Sequence, residues 1–388
     1  MQPRKTKCNI AMKEMKDLVN KRILNWLLLL AFVLGGLTGF VSCETDDNHA
    51  HSNNGENPSG RTYSSEVYVY LNKANDRENM EPTGAKGYTA KEWRLEVKNT
   101  IQGLPDNFRT CESEFNVNGL NKELPEPNYI PSRQGLEGLN ISGSGRFSEK
   151  QLKVLTDEIN KKAGGRMKVM MDLRSECHGF IHGHHMSWYG YINWSNIGKK
   201  RDQILAEEEQ LLNNVKGKTI VAGKISSANN YLMTDSTWIL VDADSALTEK
   251  QVVERYGWEY RRVTALDHVF PCDEIIDQFI ETYRSLPKDC WVHFHCQAGR
   301  GRTTTFMSFY DMLKNPDVPL KDILYRQTEL GGTSLYYKGD RPNEQAWRVE
   351  LFTETSWMVP LLYDYVQDNK ENGYSVSWTD WKKKTFKL

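Results

Sequence analysis

Trp291-Val292-His293-Phe294-His295-Cys296-Gln297-Ala298-Gly299-Arg300-Gly301-Arg302-Thr303-Thr304 is the stretch on which the reading of this chain turns. Its apolar start reads as a strand, and Phe306-Met307-Ser308-Phe309-Tyr310 beyond it continues as a helix. Between them lies a tight loop with Gly299 and Gly301, a cysteine at its start and an arginine at its end. A strand, loop and helix of that form turn successive backbone N–H groups inward at a helix N-terminus and make an anion cradle. Arg302 adds a planar fork suited to two phosphate oxygens at once. Cys296 then stands at the bottom of a phosphate-shaped hole, where a thiolate can act as nucleophile. These are the parts for metal-free hydrolysis of a phosphate ester through a cysteinyl-phosphate. The competing reading is a buried structural cysteine beside a surface arginine.

A second segment supplies what that chemistry lacks. A thiolate displaces an alkoxide poorly unless an acid protonates the leaving oxygen. Asp267, in Thr264-Ala265-Leu266-Asp267-His268-Val269-Phe270-Pro271, follows a strand-like run at Tyr260 to Val263 and precedes a helical pattern from Asp273 to Arg284. A lone Asp before a helix is otherwise read as a cap or turn residue, a role that Asp273 fills more naturally.

With these two segments and others, the chain resembles the bacterial protein-tyrosine-phosphatase-like phytases, or inositol polyphosphate phosphatases, of the cysteine-dependent phosphatase superfamily. The matching stretches are Leu104-Pro105-Asp106-Asn107-Phe108-Arg109-Thr110, Ile141-Ser142-Gly143-Ser144-Gly145, Asp172-Leu173-Arg174-Ser175-Glu176-Cys177-His178-Gly179 with Ser187-Trp188-Tyr189-Gly190, the Asp267-His268 loop, the cysteine loop, and Leu313-Lys314-Asn315-Pro316 through Gly331-Gly332. They run in the family's order from about residue 100 to the C-terminus.

The resemblance implies roles. Cys296 would be the nucleophile, Arg302 the phosphate clamp, and Asp267 the acid that later activates water. His295 would help hold the thiolate, and Thr303 would hydrogen-bond to the sulfur. Gln297, Ala298, Gly299, Arg300 and Gly301 would wrap the phosphate. Arg109, His268 and Arg348 would meet further phosphates of a polyanionic substrate, and Glu176 would hold Arg302 by an ion pair. No cofactor and no metal are implied. Departures bear on specificity: Arg300 stands where the family carries an uncharged side chain, and Asn193 where it carries an Asp that touches inositol. Phe352 and Thr355 replace Tyr and Lys, and Ile225 to Asn230 does not align with a family loop bearing His and Lys, for which Lys224 would substitute. These changes put affinity and the order of phosphate removal in question rather than the chemistry.

The N-terminal segment reads as an address. A Lys/Arg-rich stretch from Arg4 to Arg22 precedes an apolar run, Ile23 to Val41, which ends in Ser42-Cys43. This is the layout of a secretory signal. A cysteine at the boundary resembles a bacterial lipoprotein site, with 1–42 removed and Cys43 lipidated. An uncleaved membrane anchor is the competing reading. Residues 43–62 read as a flexible tether rich in Asn, Ser, Gly and His. The expectation is an exported lipoprotein, periplasmic or at the cell surface, held to a membrane, the outer one by preference, through its lipid.

Charge narrows the partners. The chain carries −1 in all; residues 1–42 contribute +5, from seven Lys/Arg against two acids, which leaves −6 on the remainder. An acidic protein is not a general polyanion binder, so nucleic acid is excluded and an anionic substrate needs a local basic pocket. Cysteines at 111, 177, 272, 290 and 296 show neither CxxC nor zinc spacing.

Helical patterns are expected at Glu149 to Lys162, Arg201 to Val215, Thr248 to Tyr256, Asp273 to Arg284, Thr304 to Leu313, Leu320 to Thr328 and Asn343 to Gln367. Strands are expected at Met167 to Asp172, Thr219 to Ala222, Trp238 to Val241, Tyr260 to Val263 and Trp291 to His295. Their alternation predicts an α/β fold with a central sheet flanked by helices. The resemblance makes residues 63–388 one phosphatase domain with a small β-barrel-like insert, its strands around Glu66 to Tyr70, Glu92 to Lys98 and Lys218 to Val241. The leading expectation is an inositol polyphosphate phosphatase acting on a soluble substrate. A tyrosine or phosphoinositide phosphatase, a catalytically silent inositol-phosphate-binding lipoprotein and a sulfur transferase stand as alternatives, and the oligomeric state is open.

Overall fold

A computed structural model describes residues 61–71, 73–76, 91–116, 124–126, 128–225, 238–336 and 344–388. The expected signal, Cys43 and nearly all of the tether lie outside these residues, as do 226–230 of the stretch that does not align. In chain order the strands are β1 (Glu92–Val97), β2 (Arg109–Thr110), β3 (Ile141–Ser144), β4 (Met167–Asp172), β5 (His178–Ile181), β6 (His184–Tyr189), β7 (Thr219–Ala222), β8 (Ile239–Asp242), β9 (Ala246–Thr248), β10 (Trp258–Arg262) and β11 (Cys290–His295). The helices used below are α1 (Ser65–Tyr70), α2 (Glu149–Ala163), α3 (Arg201–Val215), α4 (Glu249–Arg255), α5 (Asp273–Ser285), α6 (Gly301–Lys314), α7 (Leu320–Glu329), α8 (Ala346–Asn369) and α9 (Trp378–Phe386).

The main sheet has the order β10-β4-β11-β3-β2, in which the first four strands are parallel and β2 runs antiparallel to β3. Its central strand, β11, is buried along its whole length, as a parallel strand covered on both faces must be. Helix α2 starts at a capping box between Ser148 and Gln151 and ends at Gly164, whose φ of 58° closes the helix. It buries Leu152, Leu155, Ile159 and Ala163 on one face. Helix α5 turns Ile275, Ile276, Phe279 and Ile280 inward. Helix α6 is different: every residue from Arg302 to Leu313 is buried, so the helix that follows the cysteine loop runs through the middle of the domain. The parallel strands end at Ser144, Asp172, Arg262 and His295, which gathers the loops after them at one edge of the sheet, where open α/β sheets bind ligands.

Strands β5, β6 and β9, which lie between β4 and β10 in the chain, join the earlier β1 in a second, antiparallel sheet, β1-β6-β5-β9. With α3 and the two-stranded β7-β8 sheet it encloses its own small core of Trp93, Leu95, Ile181, Met186, Leu212, Val215 and Val241. Among the described residues this insert is an open sheet rather than a closed barrel, joined to β7–β8 only by a bridge between Arg94 and Gly223. Residues 66–70, expected as one of its strands, are helical. Val67 and Leu71 are one helical turn apart and both enter the main core, so helical spacing overrides the apparent alternation. Asp273 is the first residue of α5 and not its cap, the cap position being Cys272. Asp273 instead accepts from the Trp378 indole at 2.7 Å and pairs with Lys382 at 2.5 Å, which docks α9. No disulfide joins the five described cysteines. No helix among the described residues is long and apolar enough to cross a membrane.

Candidate active site

The cysteine loop is held from behind. The carbonyl of Gln297 accepts from the Arg146 backbone and guanidinium, both at 3.2 Å. That of Ala298 accepts from Asn107 Nδ2 at 2.8 Å, and that of Gly299 from Arg109 Nη1 at 2.7 Å. No peptide bond here is cis. An outward carbonyl in a trans peptide turns the next N–H inward, so the amides of Ala298, Gly299 and Arg300 face the cysteine. The Gly299 N–H donates to Cys296 Sγ at 3.3 Å. Gly299 has φ +71°, and a Cβ there would stand 2.3 Å from Gly145 N. Only glycine lets the loop lie this close to the end of β3.

Arg302, on the first turn of α6 and 4 % exposed, donates to both oxygens of Glu176 at 2.8 and 3.0 Å and to the Ala265 carbonyl at 3.1 Å. Glu176 also takes Arg174 Nε at 2.8 Å. Burial alone would raise the Glu176 carboxyl; Arg302 and Arg174 bring it below its usual range. Fully buried, Glu176 supports the clamp from beneath and presents nothing to a ligand.

Asp267 reaches the loop from the end of β10. Its Oδ1 lies 3.2 Å from Arg302 Nε and accepts the His268 N–H at 3.0 Å, and its Oδ2 accepts Asn193 Nδ2 at 2.7 Å. The Trp194 indole holds its carbonyl at 2.9 Å. Burial raises the carboxyl, but Arg302, His268 and Asn193 outweigh it and bring it to about 2. Asn193, expected against the substrate, is thus bonded to the acid, and Arg94 Nη1 holds its other end at 3.2 Å. A substitution follows from this. Asn193→Asp sets a like charge beside Asp267 and is expected to move the basic limb of any Asp267-dependent turnover to higher pH by about one unit or more. A pH–rate profile with an unmoved limb would remove Asp267 from the acid role.

The other expected residues fall into two groups. Arg109 is 2 % exposed, spent on the Gly299 carbonyl and on Thr304 Oγ1 at 3.3 Å, so it braces the loop instead of reaching outward to further phosphates. Thr303 is buried, and its hydroxyl makes no hydrogen bond, so the expected bond to sulfur is replaced by that of the Gly299 amide. His295 is buried at the end of β11, 2.6 Å from Glu249. At the mouth lie exposed Arg300 and Gly301, half-buried Gln297 and Ala298, and His268 with φ +68°. Burial lowers the His268 imidazole; Asp267 opposes this, and Arg348 and Arg302 add to it. Arg348 pairs with Glu344 at 2.8 Å and lies 5.3 Å from the Phe352 ring centre, while Thr355 bonds back to the Leu351 carbonyl within α8. Lys224 is exposed one residue beyond the bridge to Arg94.

Several residues of this centre were not singled out from sequence. Glu96 ties Arg174 at 2.7 Å, Arg146 at 3.2 Å and Gln297 at 3.2 Å. Its signal was present: in β1 the charges Arg94 and Glu96 alternate with Trp93 and Leu95, which reads as a solvated face, yet that face meets the site. His178, Asp172, Glu249, Glu208 and Arg262 fill the space below the loop. Burial lowers His178, but Asp172 overrides it and raises the imidazole to about 10. Two buried trios there, His178–His185–Glu249 and Asp172–Glu249–His295, hold ligand atoms within 4.8 Å of one another. Arg262 stands 3.1 Å from Asp172 and Arg174 2.7 Å from His185, so each trio already has a guanidinium against one of its members.

Comparison with known proteins agrees with this geometry. Residues 171–314 match the profile of the PTP-like phytase family, described by inositol hexakisphosphate. The PTP-like myo-inositol phosphatase of Mitsuokella multacida, solved with myo-inositol-(1,3,4,5)-tetrakisphosphate, is 37 % identical, with a TM-score of 0.71 over 81 % of this chain and 52 % of its own. A PTP-like phytase of Bdellovibrio bacteriovorus is 29 % identical, with a TM-score of 0.57 over 76 % of this chain and 95 % of its own. Effector protein hopD2 of Pseudomonas syringae pv. tomato is 28 % identical over 254 residues, 64 % of this chain and 53 % of that protein. The chain thus spans about half the length of the Mitsuokella and Pseudomonas relatives. On the profile, the fold and the loop together, the chain belongs to the protein-tyrosine-phosphatase-like phytase family.

Proposed function

We propose that the protein hydrolyses phosphate monoesters of inositol polyphosphates, phytate among them, through a cysteinyl-phosphate. The observation that carries this is the set of three inward amides above Cys296, closed by Arg302 on a two-oxygen ion pair with Glu176. In the proposed cycle the loop amides and Arg302 bind the phosphate, and Cys296 sulfur attacks phosphorus in line. The P–O bond to the inositol breaks as Asp267 gives its proton to the leaving oxygen. Water, losing a proton to Asp267, then attacks phosphorus, breaks the S–P bond and frees inorganic phosphate. The free site holds Asp267 ionised beside Arg302. A bound phosphate dianion offsets that positive charge and lets the carboxyl take up the proton it must donate. Arg300, Arg348 and His268 are placed to meet the other phosphates of a polyanion. The test is phosphate release from inositol hexakisphosphate, with a chelator present, beside hydrolysis of phosphotyrosine peptides. Release from the peptides alone would overturn the substrate class, and release from neither would leave a binding protein.

We also propose export and lipid anchoring through Cys43, supported by the charged, apolar and small-residue-cysteine order of residues 4–43. Labelled palmitate should enter the full chain in a bacterial host and be absent from Cys43→Ala. Equal labelling of both would refute the anchor.

A further inference from the structure

A carboxylate that takes no part in this cycle lies fully buried behind the nucleophile. Glu249 is the first residue of α4, fixed there by the Thr248–Gln251 capping box. Its Oε1 stands 2.6 Å from His295 Nε2, and its Oε2 stands 3.3 Å from His178 Nε2. His178 Nδ1 in turn sits 2.8 Å from the carbonyl of Glu176, whose carboxylate holds Arg302. Glu249, His178 and His295 are all 0 % exposed. His295 closes β11 and Cys296 follows it, so the imidazole and the sulfur project from neighbouring positions of one strand end to opposite sides. The contacts therefore run from the nucleophile, through His295, Glu249, His178 and Glu176, to the arginine clamp. Both ends of that path belong to the same loop.

A carboxylate wholly out of water is costly unless it is paired, and a leucine would fill this space without that cost. The charge is accounted for only by what it faces. Burial would raise Glu249, and His295 is the largest of the influences that instead bring it below its usual range.

We propose that Glu249 is a positioning residue: by its contact with His295 it fixes the strand end from which Cys296 meets the substrate, and so sets the reactivity of that sulfur. The inference rests on the function proposed above, but its test does not need the substrate. Alkylation of Cys296 by iodoacetamide at neutral pH, followed by peptide mass mapping to separate it from Cys272, is measured in wild type, Glu249→Gln and Glu249→Asp. Glu249→Gln is expected to slow alkylation and kcat with inositol hexakisphosphate on the order of tenfold, with KM within about twofold. Glu249→Asp, which keeps the charge but withdraws it by one methylene, should fall between. A merely structural role would lower the melting temperature and leave both rates of the folded protein unchanged, and that result overturns the proposal. If Glu249→Gln does not fold, wild-type alkylation in Glu249→Asp overturns it equally. Slower alkylation in a protein that releases no phosphate would uphold the positioning role and refute the substrate reading.

Discussion

Cys296→Ser is expected to lower phosphate release from inositol hexakisphosphate by at least about ten-thousandfold while the melting temperature stays within about 3 °C. The two outcomes follow from one geometry. Cys296 is 2 % exposed, and its sulfur accepts the amide hydrogen bond of Gly299, which a serine oxygen can accept as well. The loop is fixed by outward carbonyls tied to Asn107, Arg109 and Arg146, none of which touches the sulfur. The fold therefore does not register the exchange, but the chemistry does. A hydroxyl at the floor of the cradle would need a base to ionise it, and in the proposed cycle Asp267 serves the leaving-group side. Phosphate assays and thermal melts on the same preparation check both halves. Retained turnover would mean that some other nucleophile attacks phosphorus.

Glu176→Ala is expected to act oppositely, on the fold first. It leaves the guanidinium groups of Arg302 and Arg174 buried without the carboxylate that both use. Breaking a buried pair in this way costs about 3–5 kcal/mol, a large part of the 5–15 kcal/mol typical of a domain. Urea unfolding should register the loss, and kcat/KM should fall by about a hundredfold or more as Arg302 loses its orientation. Glu176→Gln, which keeps the shape, should unfold at intermediate urea and still lose activity. The pH dependence has a definite sign. The folded carboxyl is held below its unfolded value, so its stabilisation is fully present above about pH 4–5 and disappears as pH falls through the lower, folded value. In Glu176→Ala that part of the acid sensitivity should be missing. Equal stability of wild type and variant at neutral pH would contradict the pairing.

What could be read in the sequence was local. The strand, loop and helix around Cys296 carry their own punctuation, and α3 and β4 fall at the bounds their patterns predict, since each has a clear period or apolar run. The β5–β6 hairpin was missed because its buried face is written in His178, His185 and Ser187, which no hydropathy pattern marks as interior. Helix α9 was missed because Trp378-Thr379-Asp380-Trp381 and three lysines read as a polar tail. Its Ser377 cap, and the spacing of Trp378, Trp381 and Phe386, were the available signal. At the site, the cysteine loop with Cys296 and Arg302 and the segment bearing Asp267, which the structure brings together, were legible because each has a distinctive composition. Their supports were not. Glu96 meets Arg174 across 78 residues, and Glu249 meets His295 across β10 and α5, pairings that exist only once the sheets have assembled.

The way the loop is fixed from behind divides labour within the protein. Asn107, Arg109 and Arg146 mould the cradle without facing its contents, and Glu176 sets the clamp from below. The mouth, with Arg300, His268 and Arg348, stands apart from that scaffold. In the proposed cycle, chemistry and choice of ester thus rest on separate sets of side chains, so the rim can drift while the mould stays as cast. Phe352, beside Arg348, is the kind of mark such a drift would leave, whereas Asn193 lies beneath the opening, bonded to Asp267.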